Sequence, residues 1–158
     1  MGFGFPAAIG AQVAKPKKQV IAFVGDGGFQ MTSYELATAC NHGLPIKVIV
    51  LDNKYLGMVR QWQELFLGNR ESGVEMVGSP DFVKLAESYG AAGVRIDSVG
   101  KLRTGLKKAF SINDRPVVVH AMVRERDNVF PMIASGAPLE EMIVEAPTEK
   151  LAPPTGST

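Results

Sequence analysis

Residues 20–28 read VIAFVGDGG, and residues 46–53 read IKVIVLDN. Each stretch is a short apolar run, rich in Val and Ile, that ends in small or polar residues. Two further runs, GVRI at 93–96 and PVVVHAMV at 116–123, have a similar character. Runs of this length are typical of strands that are buried on both faces of a parallel sheet. The sequence therefore predicts a mostly parallel sheet as the core of the fold.

Helical patterns alternate with these runs. Thr32 and Glu35 have the spacing of a capping box, and Ser79-Pro80 has that of an N-cap followed by proline. Two further apolar stripes at helical spacing are Met58, Trp62, Leu65 and Phe66, and Val99, Leu102, Leu106 and Phe110. The alternation predicts an α/β fold of three layers, in which helices cover both faces of the sheet.

Composition bounds the class of protein. The chain has 158 residues, and 17 Lys and Arg balance 16 Asp and Glu, for a net charge of +1. This length predicts one domain, which we place at 1–145, with a flexible tail at 146–158. A nearly neutral chain is not expected to bind nucleic acid, and no apolar run reaches the roughly 20 residues of a membrane helix. The single cysteine, Cys40, favours a reducing compartment, so we expect a cytoplasmic protein.

Two strand ends carry residues that suit a ligand. Gly25, Gly27 and Gly28 surround Asp26 after the first run, and Asn53 follows the second. Ligands of open parallel sheets bind beyond the carboxyl ends of the strands, where glycines let a phosphate approach the backbone. A carboxylate fits beside a phosphate when a cation lies between them, and Mg²⁺ takes one or two protein oxygens there. Either feature alone is more often an ordinary turn, so the pair is what predicts a site.

The same residues resemble a known family. Gly25-Asp26-Gly27, followed at a distance by Asn53, is similar to the thiamine-diphosphate motif of thiamine-dependent enzymes. The stretches MGFGFPAAIGAQVAKP, GDGGFQMTSYELATACNHGLPIKVIVLDNKYLGMVRQWQELF and NVFPMIASGAPLEEMI resemble the large catalytic subunit of acetolactate synthase, also called acetohydroxyacid synthase. They cover most of the chain from Met1 to about Ile143 and correspond to the C-terminal, thiamine-diphosphate-binding domain.

The resemblance implies roles for individual residues. Asp26, Asn53 and the backbone carbonyl of Tyr55 would bind Mg²⁺, and Trp62 would select the second 2-keto acid. The residues implied to contact thiamine diphosphate are Met1, Gly25, Asp26, Gly27, Gly28, Asn53, Tyr55, Gly57 and Met58. Residues 129–143 resemble the segment that closes over the active site. The implied reaction condenses pyruvate with pyruvate or 2-ketobutyrate, with loss of CO₂, in branched-chain amino acid biosynthesis.

The resemblance also implies parts that this chain lacks. The activating glutamate belongs to an N-terminal pyrimidine-binding domain, and a central domain binds FAD in the full-length enzyme. We therefore assign no catalytic residue here and expect the isolated chain to be inactive. A domain fragment is our first interpretation, ahead of a split gene or a truncated reading frame. The expected partners are the missing domains, a second copy in a homodimer or higher oligomer, and a regulatory small subunit.

Other interpretations stay open. The protein can belong to another thiamine enzyme, of the pyruvate oxidase or glyoxylate carboligase type, or it can be a non-catalytic assembly module. Without the resemblance, Met58 and Trp62 are more simply explained as core residues. His120, which lies in a strand among valines, is predicted to be a buried histidine with satisfied hydrogen bonds. His42 is predicted to end a helix, and Cys40 to be a small core residue.

Overall fold

A computed structural model describes residues 1–146, so the predicted tail lies outside the described residues except for Ala146. The chain divides into two compact units. The first consists of Met1–Lys54 and Met76–Glu125, and the second of Tyr55–Glu75 and the residues from Arg126 onward. The extent of 1–145 for a single domain therefore stays a prediction. No helix of the described residues is long and apolar enough to cross a membrane.

The first unit is built on a parallel sheet of four strands. The strands are β1 (Ile21–Gly25), β2 (Lys47–Asp52), β3 (Ala92–Ile96) and β4 (Val117–Met122), and they lie in the order β1-β2-β4-β3. All three neighbouring pairs are parallel. The predicted runs match these strands to within one residue at each end, and the predicted α/β class is confirmed.

Within residues 1–146, six α-helices accompany the strands. They are α1 (Gly4–Ala14), α2 (Asp26–Gln30), α3 (Leu36–Asn41), α4 (Gly57–Phe66), α5 (Phe82–Ser88) and α6 (Val99–Ser111), with short 3₁₀ turns at Ser33–Glu35 and Leu139–Glu141. Helix α4 belongs to the second unit. In the first unit, α1, α2, α3 and α5 supply buried side chains to one apolar cluster, and α6 packs on the second.

Three aromatic rings fix the larger cluster. Phe5, Phe29 and Phe82 are buried, and the ring centroids of consecutive pairs lie 5.6 and 5.7 Å apart. The rings meet in tilted and edge-on geometries, which contribute roughly 0.5–1.5 kcal/mol a pair beyond the burial of their area. This contact joins α1, α2 and α5 on one face of the sheet.

The predicted capping box is wrong. The hydroxyl of Thr32 donates to the carbonyl of Gly2 at 3.2 Å and caps no helix. The carboxylate of Glu35 accepts a hydrogen bond from the Thr38 hydroxyl at 2.7 Å. Thr32 thus bonds to a residue 30 positions away and Glu35 to one three positions away, and neither side chain makes the predicted cap.

The predicted N-cap at Ser79 is also wrong. Asp81 caps α5, since its carboxylate accepts hydrogen bonds from the backbone N–H groups of Val83 and Lys84. The same carboxylate pairs with Arg95 on β3 at 2.6 Å. The acidic residue two positions later is therefore the cap, and it also ties the helix to the sheet.

The predicted apolar face of α6 is only partly correct. Val99 is 89% exposed, and Leu102 is 46% exposed. The helix packs instead through Gly105, Leu106 and Ala109. A Cβ atom at Gly105 would lie 2.7 Å from the Ile96 side chain, so glycine allows the helix to approach the sheet closely.

The second unit contains α4 and an irregular segment. Both amide atoms of Gln61 bond to the backbone of Val129, each at 2.8 Å, and a single antiparallel bridge joins Met132 to Ile143. The predicted helix after Asn53 is confirmed, and so is the irregular character of the segment after residue 128. The closing role that the resemblance gives to residues 129–143 stays a prediction.

The close packing of β3 against α5 is testable at Gly93. A Cβ there would lie 2.6 Å from the Val83 side chain and 3.0 Å from its carbonyl oxygen. Gly93→Ala should therefore lower the free energy of unfolding in urea by about 1–3 kcal/mol, the usual cost of overpacking. Gly100→Ala is the control, because a Cβ at Gly100 meets nothing within 4 Å. Equal stability of the two variants would contradict the packing described here.

Candidate functional site

The strand register gathers three polar residues at the carboxyl edge of the sheet. Successive strand residues point to opposite faces, so Val50 and Asp52 on β2 share a face with His120 on β4. Gly25 pairs with Leu51, which places Asp26 level with Asp52 on the neighbouring strand. A row of Asp26, Asp52 and His120 therefore follows the order of β1, β2 and β4.

Asp26 is a buried carboxylate with one oxygen left over. The residue is 1% exposed, and Oδ1 accepts a hydrogen bond from the Gly27 N–H at 2.8 Å. Oδ2 is buried and has no hydrogen-bond partner among residues 1–146. Burial raises the pKa of Asp26 to about 6, and the neighbouring Asp52 carboxyl adds to the shift, against the Gly27 hydrogen bond. An unpartnered buried carboxylate oxygen is costly, and a bound cation would remove that cost.

Asp52 and His120 form a buried pair that the sequence did not single out. Asp52 Oδ2 lies 2.6 Å from Nε2 of His120, and both side chains are less than a tenth exposed. The prediction that His120 is buried is confirmed, but Nδ1 has no partner among residues 1–146. A polar residue within each of two apolar strands could have suggested this pair. The sequence pattern does not show, however, that the two strands are neighbours in the sheet.

Gly25 and Gly28 are not explained by the packing of the chain. Gly25 has a φ of −76° and a ψ of 160°, which any residue can adopt, and a Cβ there would meet nothing within 4 Å. A Cβ at Gly28 would meet only the Gly2 nitrogen, at 3.9 Å. Neither fold geometry nor packing requires glycine here, which leaves open space beside Asp26 and Gly27.

Asn53 lies just beyond β2, at the end where it was predicted. It is half-buried and is followed by Lys54, whose φ of 60° is left-handed. Asp52 Oδ1 accepts the Lys54 N–H at 3.1 Å and so holds this turn. Met1, the predicted cofactor-contacting residue at the start of the chain, is 75% exposed.

The second unit carries the other predicted residues. Tyr55 is bridged to Glu75, and the guanidinium carbons of Arg60 and Arg126 lie over its ring, 5.5 and 5.3 Å from the ring centroid. Gly57 begins α4. The hydroxyl of Tyr55 donates to Glu75 at 3.2 Å. Backbone and side chain of Tyr55 are therefore both held in place.

Met58 and Trp62 differ in their surroundings. Met58 is 52% exposed, so the interpretation of Met58 as a core residue is wrong. Trp62 is half-buried, and its ring lies 4.9 Å from that of Phe66.

Arg60 is an unpredicted buried charge in the same unit. Its side chain is fully buried, pairs with Glu64 at 3.2 Å and donates to the Asn128 amide oxygen at 2.7 Å. A buried arginine needs such partners to offset the loss of hydration. Arg60 and the adjacent Gln61 therefore link α4 to the segment that follows Arg126.

A family model matches most of the chain. Residues 1–121 match the family model of the thiamine pyrophosphate enzyme C-terminal TPP binding domain. The chain belongs to this family.

Its relatives narrow the assignment. The chain is 45% identical over 150 residues to the acetolactate synthase large subunit of Haemophilus influenzae, covering 95% of this chain and 26% of that protein. It is 47% identical to the acetolactate synthase large subunit of Lactococcus lactis, covering 90% and 24%. The chain thus spans about a quarter of the length of these curated relatives, and it corresponds to the thiamine-binding domain of acetolactate synthase large subunits.

A solved structure supports the fold. The thiamine diphosphate-dependent 4-hydroxybenzoylformate decarboxylase of Rhodococcus jostii RHA1 aligns with a TM-score of 0.73 at 34% identity. The alignment covers 82% of this chain and 24% of that one. The thiamine-enzyme fold predicted from the resemblance is therefore confirmed.

The raised pKa of Asp26 predicts a pH-dependent cost in the metal-free chain. The folded state holds the proton up to about pH 6, whereas the unfolded chain releases it near 3.8. Stability that protonation provides is therefore lost as the pH rises through this window. In urea unfolding with a chelator present, the advantage of Asp26→Asn over the wild type should grow by about 2–3 kcal/mol between pH 4 and 7. A difference that stays constant across this range would contradict the burial of an ionisable Asp26.

Proposed function

We propose that the first unit binds the diphosphate of thiamine diphosphate through a Mg²⁺ ion held by Asp26 and Asn53. The observation that carries this proposal is the buried, unpartnered Oδ2 of Asp26 at the carboxyl edge of the sheet. A cation is the partner that best compensates such an oxygen. The resemblance also implies roles in cofactor or substrate binding for Met1, Tyr55, Gly57, Met58 and Trp62, and these roles stay predictions.

The donor set suits Mg²⁺ better than a transition metal. No cluster of three or more His, Cys, Asp or Glu side chains within residues 1–146 is placed to hold a metal ion. Mg²⁺ is commonly held by one or two protein oxygens and completes its shell with substrate phosphates and water. One carboxylate from Asp26 and one amide oxygen from Asn53 fit that mode.

The glycines support a diphosphate beside the ion. Because no contact within residues 1–146 requires glycine at Gly25 or Gly28, the absence of side chains there is explained by a ligand that approaches the backbone. Gly27 is buried, and its N–H already orients the Asp26 carboxylate. The chain's own residues thus bind and orient the cofactor and hold its cation.

For the whole protein we propose acetolactate synthase activity, with 2-keto acids as substrates. When bound, thiamine diphosphate supplies an electron sink for the decarboxylation of a 2-keto acid. The identities of 42–47% to acetolactate synthases over at least nine-tenths of this chain support this reaction. We further propose the rest of the predicted assembly: the N-terminal and FAD-binding domains, a homodimer or higher oligomer, a regulatory small subunit and a cytoplasmic location.

A second candidate is simple decarboxylation of a 2-keto acid. The observation that favours it is the 34% identity to a thiamine diphosphate-dependent decarboxylase over 82% of this chain. Incubation of the complete enzyme with pyruvate separates the two reactions. Acetolactate as product supports the first candidate, and acetaldehyde alone supports the second.

The Asp26 assignment predicts a loss of cofactor binding. In calorimetric titration of the full chain with thiamine diphosphate and Mg²⁺, Asp26→Ala should bind at least tenfold more weakly, because the ion loses its charged protein ligand. Asp114→Ala is the matched control, since Asp114 is exposed and lies in the loop before β4. Equal binding by the Asp26 variant and the wild type would refute the metal assignment.

The glycine argument predicts a variant that folds normally but binds poorly. Gly25→Ala should unfold at the same urea concentration as the wild type, or slightly higher, because its Cβ enters open space and the unfolded chain loses freedom. The same methyl group should weaken binding of the diphosphate in the titration. Gly100→Ala, which also points into open space, should leave binding unchanged. Unchanged binding by Gly25→Ala would show that no ligand approaches this strand end.

A further inference from the structure

We propose that His120 is a positioning residue for the cofactor cation: it holds Asp52 by a hydrogen bond from Nε2, so that Asp26, and not Asp52, is the carboxylate that faces the ion. This inference rests on the proposed function. His120 lies on β4, two strands away from β1, and its ring nitrogen Nε2 is hydrogen-bonded to Asp52 on the strand between them. Its effect would be transmitted through Asp52.

Each carboxylate oxygen of Asp52 has a hydrogen-bond partner. Oδ2 faces Nε2 of His120 at 2.6 Å, and Oδ1 accepts the Lys54 N–H at 3.1 Å. Asp52 therefore connects the histidine to the left-handed turn that follows Asn53. A carboxylate with both oxygens engaged has a fixed orientation, and it fixes the residue next to it in turn.

The proton between the two groups belongs on Nε2. Nδ1 of His120 is buried and has no acceptor among residues 1–146, whereas Nε2 faces a carboxylate. A proton on Nε2 makes a charge-assisted hydrogen bond, which is about twice as strong as a neutral one. The ring itself is held edge-on against Phe82, with centroids 5.1 Å apart.

This arrangement gives the neighbouring carboxylates of Asp52 and Asp26 different roles. Asp26 and Asp52 directly follow the paired residues Gly25 and Leu51 on the neighbouring strands β1 and β2, so each can compete for the same cation. Pairing with His120 occupies Asp52 and leaves Oδ2 of Asp26 as the free oxygen. Loss of the pairing would release Asp52 and loosen the Asn53 turn.

Two amide substitutions test this arrangement with matched chemistry. In His120→Gln, the amide nitrogen reaches the position of Nε2 and can still donate to Asp52. In His120→Asn, the shorter side chain places its amide near the position of Nδ1. Val118→Ala, on the same strand and fully buried, removes core contacts but no hydrogen bond and serves as the control for stability.

The readouts are calorimetric affinity for thiamine diphosphate with Mg²⁺ and amide hydrogen exchange at Lys54 in the metal-free chain. We expect His120→Gln to bind within about threefold of the wild type. We expect His120→Asn to bind roughly 10- to 100-fold more weakly and to exchange the Lys54 amide faster. Val118→Ala should lower the unfolding midpoint and leave both readouts unchanged.

The outcomes separate the inference from the function beneath it. If the wild type binds and His120→Asn binds equally well, the positioning role is overturned while the proposed function stands. If Val118→Ala weakens binding as much as His120→Asn, the effect is one of general stability, and the inference fails. If the wild type itself does not bind the cofactor with Mg²⁺, both the proposed function and this inference are refuted.

Discussion

The buried carboxylate of Asp26 is the interaction on which the site depends. A carboxylate with 1% exposure and one oxygen unpartnered is expensive to keep in a folded protein. The apolar core of the first unit offsets this cost, because it buries three aromatic rings and valines of β2 and β4. Natural proteins retain such costs where a ligand later compensates them. The polar row at the strand ends is thus the part of the first unit that stability alone does not explain.

Parallel register is what turns separate sequence positions into a site. Gly25, Leu51 and Ala121 mark the same level on β1, β2 and β4, so the residues next to them in the chain lie at one edge of the sheet. An antiparallel arrangement of the same runs would send these ends to opposite edges. The fold therefore brings Asp26, Asp52 and His120 together, although these residues lie up to 94 positions apart in the sequence.

Much of the fold follows from local pattern, and the exceptions have physical causes. The apolar runs predicted the strands, because buried parallel strands consist of uninterrupted Val and Ile. The capping residues and the packed face of α6 were predicted less well. Thr32 and Leu102 match a helical pattern, but Thr32 bonds to Gly2 and Leu102 is exposed, since the helix packs through Gly105. Such choices depend on what lies across the interface.

The candidate site divides in the same way. Asp26, Asn53 and the glycines around Asp26 were recognisable because they directly follow strands, and the resemblance added Met1, Tyr55, Gly57, Met58 and Trp62. Asp52 and His120 were not recognised, because their pairing requires β4 to lie beside β2, and no local pattern contains strand order. The identity of 45% to an acetolactate synthase large subunit then makes the family assignment firm, over about a quarter of that protein's length.

The central claim is that Asp26 holds the cation of thiamine diphosphate. The most direct measurement is a crystal structure of this chain grown with thiamine diphosphate and Mg²⁺. We expect an ion at about 2.0–2.1 Å from Oδ2 of Asp26, the usual distance for Mg²⁺, with diphosphate oxygens completing its shell beside Gly25 and Gly28. A cofactor bound elsewhere, or a bound ion that leaves Oδ2 of Asp26 without a contact, would contradict it.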